Sequence, residues 1–237
     1  MPGGQVIGLR RHKHAVLLAL LFVVLAIETI NAQGAERLRS DALRTVLGVA
    51  IWIVIFERPR ERATMGAVLL ASLAINWGRY FTLASVSHAL SVVDHTVLSL
   101  FLWSAVWVIL RDLFRAPAAG AENVFGAICG YLIAGDAWAH MNLIAYLLVP
   151  SAYSINPELA ALLPDWHGRG ALFTYYAFAQ VMTMGYSDVT PVRAPATTLS
   201  LFSALFGVFY TAVVVSQFVG LAQNPKREMP TDHDRDK

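Results

Sequence analysis

Apolar residues fall into six long runs along the chain, at about 15–30, 43–56, 64–86, 92–110, 123–149 and 196–222, with short polar, arginine-bearing segments between them. None of the runs keeps one polar face throughout. Helices that are apolar nearly all round belong in a large core or a bilayer. A helix crossing a bilayer needs roughly 20 apolar residues to traverse about 30 Å of hydrocarbon. A seventh run, 171–182, is about half that length and lies between Gly170 and Gly185. The pattern predicts an all-α membrane protein with six transmembrane helices and a half-length helix re-entering between the fifth and sixth.

Composition agrees with the pattern. Hydrophobic residues make up 57% of the 237 and charged residues only 14%, with a mean hydropathy of +0.54. Soluble domains carry about a quarter charged residues. A net charge of +2 gives no support for a nucleic-acid partner. The lone cysteine, Cys129, excludes an intrachain disulfide and a cysteine-rich metal site. The position of the basic residues is more telling than their number. With the N-terminus in the cytoplasm, twelve Lys and Arg residues fall on the inner side, among them Arg10, Arg58 and Lys226, against five outside. That bias predicts a multi-pass protein of the cell (inner or plasma) membrane with both termini cytoplasmic.

The expected divisions are a cytoplasmic tail at 1–14, a four-helix membrane domain at 15–116, a second membrane unit at 117–222 that contains the half-length run, and a polar tail at 223–237. The basic start, apolar core and Ala32 are compatible with a cleaved signal peptide. Glu28 within the run and Ile30 two residues before Ala32 favour an uncleaved anchor helix. Tail 223–237 is too polar to build a core.

The half-length run leads into Thr183-Met184-Gly185-Tyr186-Ser187-Asp188. Non-helical backbone at membrane depth is tolerated only where protein or a watery cavity satisfies it. This segment resembles the potassium-channel signature Thr-Val-Gly-Tyr-Gly-Asp. The flanks around Ile128-Cys129-Gly130-Tyr131-Leu132 and from Leu205 to Val215 are similar to the outer and inner pore helices of bacterial six-helix "ion channel 2"-type potassium channels. The resemblance, to the tetrameric P-loop channel superfamily, covers roughly 124–221. The first four spans carry no such motif.

The resemblance implies a potassium-selective channel in which Thr183, Met184, Gly185, Tyr186 and Ser187 form the filter, with potassium ions held at Thr183, Met184, Gly185 and Tyr186. Backbone carbonyls would replace the ion's hydration shell. Successive inward carbonyls require backbone of alternating handedness, which glycine adopts readily. The Tyr186 ring would pack on Tyr175, Tyr176 or Phe178, and Asp188 would sit at the pore mouth. A single loop cannot surround an ion, so a homotetramer embedded in lipid is expected, with no cofactor, enzymatic activity or identifiable small-molecule ligand. Ser187 stands in place of the second glycine, where left-handed backbone costs about 1–2 kcal/mol. A weakly selective cation channel is therefore the nearest alternative, and a non-conducting scaffold the next.

Other residues invite roles. Gly207, near the middle of the sixth run, is a candidate gating hinge or a close-packing position. Asp136 and His140 are four apart and share a helix face, making them either a satisfied hydrogen-bonded pair or a candidate pH-sensitive pair. Glu28, Asn76, Arg79, Asp94 and His95 are costly to bury unpaired, which predicts an interhelical network joining Arg79 to Asp94 or Glu28, with a ligand or proton sensor as the alternative. Asp165 and His167 are expected to be solvated in an outer turret at 151–170. The fourth run contains no arginine within it, so strong voltage sensing is not expected. A serine hydrolase built on Ser187 would read Gly-x-Ser-x-Gly, and the second glycine is absent. A transporter would carry paired broken helices in repeated halves, and only one such segment is visible.

Overall fold

The computed structural model describes residues 12–31, 37–78, 81, 84–116, 120–185 and 188–223, and their side chains except at 28–31, 37–40, 84–87 and 221–223. Tyr186, Ser187 and Arg79 lie outside the described residues, as does the side chain of Glu28. The fold is mostly helical. In chain order come α1 (Lys13–Asn31), α2 (Arg37–Ile55), α3 (Pro59–Gly78), α4 (Ala84–Phe114), α5 (Ala121–Leu148), β1 (Tyr153–Ile155), α6 (Pro157–Ala160), α7 (Trp166–Val181), β2 (Val189–Pro191) and α8 (Ala194–Gln223).

Among the described residues two segments are long and apolar enough to cross a membrane, His88–Phe114 in α4 and Ala194–Gly220 in α8; Lys13–Ile27 in α1 is a shorter apolar helix. Charge explains part of the difference. Helix α2 carries Arg37, Arg39, Asp41 and Arg44 in its first half, and α3 opens with Arg60, Glu61 and Arg62. The run expected at 64–86 is divided: α3 ends at Gly78, and residues from Ala84 onward belong to α4.

The largest core cluster mixes side chains of the first five long helices, including Leu17, Ile51, Leu69, Phe101 and Ile133. Large apolar side chains also face outward. Leu70, Trp107, Leu201 and Phe209 are each more than half exposed, more apolar surface than a water-facing monomer usually shows. Charge collects at one end of the bundle. Lys13 pairs with Glu57, Arg111 Nη1 lies 2.7 Å from Glu61 Oε1, and the His14 backbone N–H donates to Glu122 Oε2.

Between α5 and α7 the chain departs from a purely helical plan. Strand β1 pairs antiparallel with β2 in the register Tyr153↔Pro191, Ser154↔Thr190 and Ile155↔Val189. Each strand has three residues, too few for alternation to register in sequence. Beneath this ribbon lies a second core of Leu143, Leu172, Phe173, Tyr176 and Val189. There the Tyr153 hydroxyl donates to Asn142 Oδ1 at 2.8 Å, and Asn142 Nδ2 donates to the Trp138 carbonyl.

Candidate functional site

Helix α7 begins where Asp165 caps it, its carboxylate accepting the Gly168 N–H at 3.2 Å. Its sixteen residues extend about 24 Å, short of a full crossing. Three contacts fix where it ends. The Tyr131 hydroxyl of α5 donates to the Val181 carbonyl at 3.2 Å. The Phe178 ring fills the notch at Gly135, 2.5 Å from where a Cβ would be. The Val181 carbonyl oxygen occupies the space a Cβ on Gly207 would need. Tyr131, Gly135 and Gly207 all lie near the middles of their helices. The C-terminus of α7 therefore reaches the mid-length of both α5 and α8. The chain then turns back, pairs β2 with β1 beside the end of α5, and starts α8 at Ala194.

The turn is closed by a defined helix cap. Met184 N–H donates to the Ala179 carbonyl at 2.8 Å, and Thr183 N–H to the Gln180 carbonyl at 2.9 Å. This is the Schellman pattern, with Thr183 in the left-handed position usually given to glycine. Thr183 has φ 57° and Gly185 φ 65°, with no positive φ at Met184 between them. A β-branched residue with positive φ is an outlier, and such strain persists only where the surroundings impose it. The Thr183 hydroxyl donates to the Met182 carbonyl at 2.7 Å. Residues 182–185 are all exposed in the single chain. No neighbouring atom lies within 4 Å of a Cβ placed on Gly185.

Asp188 is tied to the same helix. The Tyr175 hydroxyl donates to its Oδ2 at 2.9 Å, and the Asp188 carbonyl accepts the Asn156 N–H at 2.8 Å. Tyr176, one residue on, points the other way and shares a hydrogen bond with Ser200 of α8. The packing expected for Tyr186 lies outside the described residues.

A second polar constellation lies at the end of the bundle where α7 begins. His140 Nε2 is 3.9 Å from Asp136 Oδ2, a loose approach, while His140 Nδ1 is only 3.0 Å from His95 Nδ1 and the two rings stack. Asp94 accepts the Ser72 hydroxyl at 2.7 Å; its expected partner Arg79 is not described. His167 is not solvated as expected. Its side chain is 11% exposed, with Nε2 3.2 Å from Oδ1 of the buried Asp41. That approach lacks the angle of a hydrogen bond. The expectation failed because a turret position assigned by sequence separation lies against α2. Asp41 was missed for the same reason: in sequence it is one more charge beside Arg37, Arg39 and Arg44. Asp165, also expected in solvent, is a helix cap.

Among the described residues no group of three or more His, Cys, Asp or Glu side chains is arranged to hold a metal ion. The chain matches no model of a known protein family, no curated protein and no solved structure.

Proposed function

We propose that the chain is one subunit of a homotetrameric cation channel, selective for potassium, with six membrane-spanning helices and both termini in the cytoplasm. In this reading α7 is a re-entrant pore helix, 183–187 the selectivity filter, Asp188 the pore mouth and α8 the inner helix. One observation carries the reading. Helix α7 stops at mid-length of α5 and α8 and passes directly into an exposed turn in which Thr183 and Gly185 have positive φ and Met184 does not. Alternating handedness turns successive carbonyls the same way, which is what a line of ion-coordinating oxygens needs. The negative end of the α7 dipole points toward the same place and favours a cation. Exposure of 182–185 in one chain fits a site completed by other copies.

Potassium flux from liposomes holding the purified protein, compared with sodium and tested for barium block, tests the proposal. Barium-sensitive potassium flux well above sodium is expected. Folded tetramers that pass neither ion would overturn it. A weakly selective pore is the second reading, favoured by Ser187 where the signature has glycine. Under that reading Ser187→Gly raises the potassium-to-sodium ratio.

A further inference from the structure

We propose that the facing imidazoles of His95 and His140 form a proton-binding site through which acid on the turret side reduces ion passage. The inference rests on the channel reading above and adds a regulator to it. The two Nδ1 atoms are 3.0 Å apart and the ring centroids 5.0 Å, so one Nδ1 must donate and the other accept. With His140 as the donor, its Nε2 takes the first proton, on the side facing Asp136 Oδ2. That proton leaves the His95–His140 bond in place and strengthens it by charge. A second proton has to bind His95 at Nδ1, the accepting atom itself. The bond is then lost, and two stacked cations face each other between α4 and α5.

The surroundings allow protons in and transmit the result. The pair borders a cavity of about 60 Å³, room for a few waters. Ser72 and Asn76 of α3 also line it. Among the described residues, the charged and titratable groups facing it are Asp94 on α4, Asp41 and Arg44 on α2, and His167 on α7, with Asp136 of α5 behind His140. From α1 the neighbours are apolar, Leu21, Val24 and Leu25. Arg44 opposes cation build-up, whereas Asp94 and Asp41 tolerate the first charge. His140 lies on the same helix as the Gly135 notch that seats Phe178 of α7. His167, in the first turn of α7, closes the cavity against Asp41. Repulsion between His95 and His140 thus moves α5 where it seats Phe178, near the C-terminal end of α7.

The test is potassium flux through the full-length protein in liposomes with the turret side at about pH 7.5 and about pH 5, for wild type, His95→Asn and His140→Asn. Asparagine places a hydrogen-bonding atom near the Nδ1 position but does not titrate. Wild-type flux is expected to fall about fivefold or more, and each variant by less than about twofold. An acid response of wild-type size in both variants overturns the proposal. The channel reading fails separately, by absence of flux at either pH. The site is then judged on side-chain ¹⁵N signals of the wild-type protein in nanodiscs, as it is if the variants do not assemble. Two linked imidazoles taking up protons in separate steps support the pair; two independent, ordinary titrations overturn it.

Discussion

The carbonyl oxygen of Val181 lies 1.8 Å from the point where a Cβ on Gly207 would sit. Only glycine lets the end of α7 approach α8 this closely. Helix α8 runs unbroken through that position, and Gly207 seats the end of α7 there. Gly207→Ala is therefore expected to force the helices apart and cost about 3 kcal/mol or more by overpacking. Thermal unfolding in detergent, read beside flux, checks this. An unchanged melting temperature would remove Gly207 from the contact.

Tyr175→Phe deletes the hydroxyl that donates to Asp188 Oδ2 and leaves the ring. The bond is exposed, so the stability loss should be only about 1 kcal/mol. Its effect on the mouth should be larger, because this hydrogen bond ties the Asp188 carboxylate to α7. We expect lower potassium flux, with the fold retained. Flux and sodium discrimination equal to wild type would mean that this hydrogen bond does not position the mouth.

Gly185→Ala places a Cβ on a residue with φ 65° but meets no neighbour within 4 Å in the single chain. The expected penalty is backbone strain of about 1–2 kcal/mol per subunit, concentrated at the ion site. Flux should drop by about tenfold or more, since 1.4 kcal/mol in one subunit already corresponds to that factor. Retention of full flux in Gly185→Ala would show that positive φ at this residue is dispensable.

Tyr153 provides a pH test outside the spanning segments. Burial, with the Tyr176 phenol beside it, pushes the Tyr153 hydroxyl well above its ordinary range. The folded state therefore keeps a proton that the unfolded state releases near about pH 10. Stability contributed by this group is present below that value and falls as pH rises through it. Tyr153→Phe should cost about 1 kcal/mol at neutral pH, by loss of the bond to Asn142, and should flatten the alkaline decline. Melting curves across pH 8 to about 11 decide it. An identical alkaline decline in the variant would assign it to another group.

The sequence made the long helices legible because apolar length is a local property. The separation of α3, ending at Gly78, from α4, starting at Ala84, was not legible, since Tyr80, Phe81 and Leu83 between them keep the hydropathy average high. The half-length of α7 and the special backbone at Gly185 could be read from the glycines and the polar turn. Positive φ at Thr183 could not, because the Schellman cap arises from where α7 is stopped by Tyr131 and Gly207. His140 was assigned Asp136 by helical spacing, but its closer partner His95 lies on another helix, 45 residues away. The Asp41–His167 approach was invisible for the same reason. Local pattern specified which residues are polar within the bundle, and packing between helices decided their partners.

The most direct measurement is a density map of the purified protein in a potassium-containing lipid nanodisc, refined without imposed symmetry. Four copies around a common axis are expected, with the Thr183 and Gly185 carbonyls turned inward and ion density between them. Copies that never share such an axis, or carbonyls directed away from it with no density there, would contradict the account.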